Sequence, residues 1–200
     1  MAITNGYCTL TEIKAADALD LADASWDAAL ERVIEAASRA VDAHCMRRFY
    51  VNTDDETRYY GSEDGRLCYT DDLVSITTLA TDDQDDRTYS TVWAATDYDM
   101  EPYNAAVQGW PYMYLSVAPS GNYNFPIIRR GVKIAGKFGF PAVPVKVRQA
   151  TLQQAMRFWM REKTVLGSSA MGALGEMRVN MPGLDPDIQQ MLIEYRRLYL

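Results

Sequence analysis

The side chains able to do chemistry are few and badly spaced for it. His44 is the only histidine and adjoins Cys45. Neighbouring helical residues do not face each other, so the two make a poor nucleophile–base pair. A Ser-His-Asp or Cys-His enzyme would have to use this one imidazole, and His44 reads as structural. Cys8, Cys45 and Cys68 are odd in number and contain no C-x-x-C pair, which excludes a zinc knuckle or a thioredoxin-like motif. Three free thiols in a reducing compartment is the simplest account.

Carboxylates cluster at Asp54-Asp55-Glu56, Asp71-Asp72 and Asp82-Asp83-Gln84-Asp85-Asp86. Oxygen donors suit Ca²⁺ or a two-metal phosphodiesterase, but no cluster has the order of an EF-hand loop. All three read as solvated turns or hairpin tips. The segment Gly167-Ser-Ser-Ala-Met-Gly-Ala-Leu-Gly has the glycines of a phosphate cradle. It follows a helix rather than a strand and has no G-K-[ST] ending, so it is no P-loop. Residues 167–183 read instead as a mobile loop that orders against a partner, with Met171, Met177 and Met181 as adaptable apolar contacts. The aromatics Tyr98, Tyr103, Trp110, Tyr112 and Tyr114 could line a glycan site, although strand packing is the commoner use of such residues. No cofactor and no metal is expected.

The elements that must position these residues follow from periodicity. Thr9 with Glu12 makes a capping box for a short helix reaching about Leu19. Ser25 is placed to cap a longer one, in which Trp26, Leu30, Val33, Ile34, Ala37, Val41, Cys45 and Phe49 recur at helical steps. Arg47 and Arg48 would close it, where the helix dipole favours bases. Short β-branched and aromatic runs then follow at Thr57–Tyr60, Arg66–Tyr69, Val74–Leu79, Tyr89–Ala94, Tyr112–Val117 and Gly131–Phe138. Pro144 opens a helix from Val145 to about Val165, with Val145, Leu152, Ala155, Met156 and Trp159 along one side. Asp185-Pro186 opens a last helix to Leu198 through Ile188, Met191, Leu192 and Tyr195.

This order predicts an α+β protein. A bundle of about four helices, residues 1–49 with 144–200, would carry a β-rich subdomain, residues 50–143, inserted between its second and third helices. At 48% hydrophobic and 24% charged, 200 residues suffice to bury a core without staples. No apolar run is long enough to span a membrane, and no basic-then-apolar leader marks the chain for secretion, so it is expected in the cytoplasm. The net charge of −7 hides a division. The first hundred residues carry a balance of −13 and the second hundred +6. An acidic whole argues against tight nonspecific nucleic-acid binding, yet it allows one acidic and one basic face.

Five patches in succession resemble the head–tail connector, or adaptor, proteins of long-tailed bacteriophages. They are Leu10-Thr11-Glu12-Ile13-Lys14; Ala37 to Phe49, ending in Arg47-Arg48-Phe49; Asp72-Leu73-Val74-Ser75-Ile76-Thr77-Thr78-Leu79; Val132 to Pro141, followed by Pro144-Val145; and Leu184-Asp185-Pro186-Asp187 running to Tyr195-Arg196-Arg197. Residues 82–124 match no such pattern. The resemblance implies a structural virion protein of the neck, with no catalysis. It would form a ring beneath the portal protein, a dodecamer when assembled and a monomer when free, waiting in the host cytoplasm before assembly. The ring would extend the channel through which genomic DNA passes nonspecifically, and would offer a platform to a head-closure or tail component. Tyr195, Arg196 and Arg197 are the expected partner anchors, Tyr and Arg being common interface hot spots. Arg157, Arg161 and Lys163 are the expected DNA-channel or charged-interface residues. Two other classes compete: a metal-dependent phosphodiesterase using the N-terminal carboxylates, and a glycan-binding β module.

Overall fold

The computed structural model describes residues 3–17, 20, 23–163 and 183–197. The protein is α+β: the described residues hold four α-helices and one six-stranded antiparallel sheet. The chain divides into two compact units, Met1–Arg48 with Val143–Leu200, and Phe49–Ala142.

The first unit is helical. Helix α1, Leu10–Ala16, starts at the capping box: Thr9 Oγ1 accepts from the Glu12 N–H at 3.2 Å and Glu12 Oε2 accepts from the Thr9 N–H at 2.8 Å. Helix α2, Asp27–Cys45, has Trp26 as its N-cap with no side-chain capping bond. The expected cap, Ser25, instead donates its hydroxyl to Asp23 Oδ1 at 2.5 Å. Helix α2 buries Leu30, Val33, Ile34, Ala37, Ser38, Val41 and Cys45. It stops because Met46 turns left-handed at φ 55°. Arg47, Arg48 and Phe49 therefore lie beyond the helix that their spacing would have extended. Phe49 belongs to the second unit, where its ring packs 4.8 Å from Phe140.

Helix α3, Val145–Lys163, begins as the proline predicts, with the Pro144 carbonyl accepting from Arg148 N–H at 3.0 Å. Its buried face runs through Val147, Ala150, Thr151, Gln154, Ala155 and Trp159, while Val145 is 82% exposed. Of the five residues expected along the apolar side, Val145 alone is exposed. Ala155 and Trp159 join Cys8, Ile13, Leu30, Val33, Ile34 and Ala37 in one core, and Leu152 and Met156 pack at its margin. The Trp159 indole donates to Asp17 Oδ2 at 2.7 Å, which satisfies the polar end of an otherwise apolar side chain. Helix α4, Pro186–Leu192, is shorter than expected. It tightens to a 3₁₀ turn over Ile193–Tyr195, and Arg196 is extended. The next N–H, that of Arg197, leaves the helical ladder to reach the Cys45 carbonyl at 2.8 Å.

The second unit is built on the sheet, in the order β1–β6–β2–β5–β4, with β3 also on β2. The strands are β1 Glu56–Tyr60, β2 Leu67–Thr81, β3 Thr91–Val92, β4 Tyr98–Glu101, β5 Tyr112–Val117 and β6 Val132–Phe138. The two runs expected on either side of Asp71-Asp72 are one fifteen-residue strand. Its first half pairs with β5, its second half with β6, and Leu73 sits opposite both Tyr112 and Phe138. Register shifts at Tyr69/Leu73, Leu73/Ser75 and Ile76/Thr78 mark bulges, which bend a strand without breaking it. Strand β4, in the stretch without a sequence pattern, pairs Tyr98 to Glu101 with Val117 to Tyr114. Cys68, Leu73, Leu79, Trp93, Leu115, Phe125, Val132, Ile134 and Phe138 form the core. Trp93 stacks on Phe125 with ring centroids 4.6 Å apart.

Gly136 lies where β6 meets the bulged part of β2. A Cβ there would stand 2.1 Å from the Ser75 carbonyl oxygen, a backbone atom that cannot step aside. Gly136→Ala should destabilise the protein by at least about 2 kcal/mol through overpacking. Denaturant titration of both proteins measures this, and an unchanged midpoint would contradict the packing described.

Candidate partner interface

The basic residues of α3 do not present one free positive face. Arg148 pairs with Glu12 of α1 at 2.5 Å, Lys146 with Glu194 at 2.7 Å, and Arg157 with Asp185, the N-cap of α4, at 3.3 Å. These pairs tie α3 to its neighbours. Singly each stabilises little, because most of their atoms stay in water. Together they mark which side of α3 meets α1 and which meets α4. Arg161 is exposed near the end of α3, and Lys163 is its last helical residue.

The expected anchors separate in the same way. Tyr195 is 8% exposed and packs inward with Ile188 and Leu192 on the buried side of the C-terminal segment. Burial first, and then the Glu194 carboxylate beside it, push its hydroxyl above the usual tyrosine range. Arg197 is half-buried, with its backbone tied to Cys45. Arg196 alone of the three is exposed. Its charge adds to burial in holding His44 below the usual imidazole value. Met171, Met177 and Met181 lie outside the described residues, as does the loop that contains them apart from Gly183.

Two surface grooves meet at Arg161. One, of about 420 Å³, is lined by Arg32, Val33 and Ala36 of α2 and by Phe158, Arg161 and Glu162 of α3. The other, of about 300 Å³, is lined by Met156, Arg157, Met160 and Arg161. Sequence reasoning passed over Arg32 and Ala36. Both are exposed positions off the buried stripe of α2, and only the approach of α3 turns them into a groove wall.

The acid clusters of the β unit resolve into different structures. Asp54 and Asp55 are exposed. Asp71 lies within β2, where it accepts from Arg58 Nη1 at 2.7 Å and from the Tyr60 hydroxyl at 3.1 Å. Arg58 is held on its other side by Glu56 at 2.8 Å, and its guanidinium lies 4.2 Å from the centre of the Phe138 ring. Asp72 is buried. Neither is a solvated tip. Asp82 is also buried, and its carboxylate accepts from the N–H groups of Arg87 at 2.9 Å, Asp86 at 3.2 Å and Gln84 at 3.3 Å. It folds the acidic loop around itself, leaving Asp83, Asp85 and Asp86 outside. Among the described residues no three His, Cys, Asp or Glu side chains converge so as to hold a metal ion. Of the five aromatics that might have lined a glycan site, Tyr98 and Tyr112 pack against the core and Trp110 lies 5.6 Å from the Phe140 ring. Tyr114 pairs with Tyr69 at 5.7 Å, and Tyr103 is 73% exposed on a separate loop.

No family model matches the chain, and no curated protein matches it. Solved structures do share its fold. A chain from the neck of an empty gene transfer agent particle, computed with C6 symmetry, has a TM-score of 0.59 at 16% identity, over 100% of this chain and 94% of that one. A chain from the virion of a native gene transfer agent particle has a TM-score of 0.57 at 17% identity, with the same coverage. No described helix is long and apolar enough to cross a membrane.

Two outcomes follow from the buried groups. Burial pushes the thiols of Cys8, Cys45 and Cys68 up to about 12. A maleimide at pH 7.5 should leave the native protein unlabelled and take up three labels after denaturation, read by mass spectrometry. At Asp82, burial alone would raise the carboxyl pKa. The Arg87, Asp86 and Gln84 N–H groups and the Arg87 charge outweigh it and hold the value below the ordinary one. A lowered folded-state pKa contributes stability above the unfolded value of about 4 and loses it as pH falls through the folded value. Asp82→Ala should therefore be less stable than wild type at pH 7, and the gap should narrow as the pH is taken from 7 to below about 4. Denaturant midpoints across that range measure it, and a gap that stays constant would refute the assignment.

Proposed function

We propose that this chain is a structural neck protein of a phage-like particle, a head–tail adaptor. The observation that carries the reading is the end-to-end likeness of fold to a chain of a particle neck, covering 100% of this chain and 94% of that one. The ordered succession of connector-like patches along the sequence supports it independently of the fold. The arrangement of side chains agrees: the paired carboxylates and buried thiols serve the fold, and the exposed features are grooves, loops and charges suited to contact.

In this role the protein binds beneath the portal as a ring of copies, lengthens the DNA channel, and receives the next neck or tail component. The helical unit, Met1–Arg48 with Val143–Leu200, forms the connector body and the β unit, Phe49–Ala142, is its insertion. DNA passes without sequence readout, so only diffuse phosphate contacts are needed. Arg161, exposed near the end of α3 and lining both grooves, is the residue proposed for a charged contact. Arg196 is the exposed member of the C-terminal anchor, and Tyr195 acts by holding that segment in place.

Electron microscopy of the purified protein mixed with portal rings tests the reading. Wild type should add a ring of density beneath the portal. Arg196→Glu, an exposed change that leaves the packing of Ile188, Leu192 and Tyr195 intact, should bind the portal about tenfold more weakly. Absence of any wild-type density on the portal would overturn the proposal.

A further inference from the structure

The loop between β4 and β5 projects two bare apolar side chains: Tyr103 is 73% exposed and Val107 90%. It is nevertheless a built structure. The Ala105 N–H bonds the Pro102 carbonyl at 2.9 Å, and the Gln108 and Trp110 N–H groups bond the Ala105 carbonyl at 3.0 and 2.9 Å. Ala105 itself is buried, and Gly109 closes the 3₁₀ turn Ala106–Gln108 in the left-handed region at φ 74°. A surface knob whose backbone is already ordered loses little further entropy on docking. The strand leading into it is acidic: Asp99 and Glu101, both half-buried, precede it, and no Lys or Arg occurs between Arg87 and Arg129.

The groove between α2 and α3 has the opposite character. Val33 and Phe158 form its apolar floor, exposed Ala36 leaves space, and exposed Arg32 and Arg161 stand at its rim beside Glu162. Arg157 lines the adjoining groove with Met156 and Met160. We infer that the Tyr103–Val107 knob of one copy seats in the Arg32–Ala36–Phe158–Arg161 groove of a second copy of this chain. Apolar tip meets apolar floor, and the acidic β4 approaches the arginine rim. Charge of this kind sets partner and register more than strength. Knob and groove are different patches, so the contact is heterologous. It propagates from copy to copy and closes into a ring where the rotation allows, instead of ending at a dimer. The inference rests on the ring-forming neck role proposed above and supplies its contact between neighbours.

Site-directed cross-linking tests it cleanly, because the three native thiols are buried. Ala36→Cys and Val107→Cys are made as separate full-length proteins, mixed at high concentration and treated with a short bis-maleimide. A heterodimer should form in the mixture, at least about tenfold above either protein alone. The double variant should give a ladder of covalent oligomers. Arg32→Glu with Arg161→Glu in the groove protein should reduce the yield about tenfold, and Glu101→Lys in the knob protein should recover part of it. No heterodimer, or Val107→Cys linking to itself as readily as to Ala36→Cys, overturns the contact. Wild-type rings on the portal without this cross-link would overturn the contact alone and leave the adaptor reading standing. Ladders without portal-bound density would overturn the adaptor reading and sustain the contact.

Discussion

The β unit depends on β2 remaining one strand through two consecutive aspartates. An Asp pair in mid-strand is unfavourable by propensity and by desolvation. Asp71, partly open to solvent, is met by Arg58 of the edge strand β1, which lies against the Phe138 ring, and by the Tyr60 hydroxyl, while Asp72 is the buried member of the pair. With that charge matched, Leu73 can sit buried opposite both Tyr112 and Phe138 and link the β5 half of the sheet to the β6 half. Breaking β2 at Asp71-Asp72 would leave a three-stranded piece with β5 and β4 and a four-stranded piece with β6, β1 and β3, instead of one six-stranded sheet.

The helical unit meets a different constraint. Its core is carried by α2 and α3, and Trp159 is the largest side chain in it. Truncating such a residue typically costs about 3–5 kcal/mol. The ion pairs around it act at the margin, where they add little stability. Burial of Val147, Ala150, Ala155 and Trp159 sets the rotation of α3, with Arg148–Glu12 and Arg157–Asp185 agreeing at its margins, and this rotation turns Val145 outward and brings Phe158 and Arg161 beside α2. The groove is therefore a consequence of how the helix seats. The same seating leaves Arg196 exposed and Tyr195 inside, which divides one run of three anchors into a support and a contact.

Several charged groups among the described residues thus serve the fold. Asp82 gathers a loop, Asp97 holds the Ala94 and Asn122 backbones, and Glu12 caps a helix while pairing with α3. What remains on the surface is shape: a rigid apolar knob, grooves with arginine rims, and exposed acids at loop ends. Such surfaces suit the neck role proposed above, in which the task is to place neighbours and not to change a bond.

The helices and most strands were legible in the sequence, because periodicity and caps are local. The Thr9–Glu12 box, the α2 stripe, Pro144 and the Asp185-Pro186 start each depend on residues within a turn or two. Local signals failed where a distant partner outweighed them. Phe49 continues the helical spacing but is taken by Phe140. Asp71-Asp72 reads as a turn, but Asp71 is matched by Arg58. The final helix has the pattern to reach Leu198, but the Arg197 N–H goes to Cys45. Strand β4 has no pattern of its own and exists because β5 lies beside it. The sequence by itself determined the class of the fold, the order of its elements, and the absence of a legible catalytic motif, since each is written in residue type and short spacing. Only the tertiary structure decided which charges are matched, which aromatics are buried and where the groove opens. Those outcomes depend on side chains far apart in the chain competing for the same space.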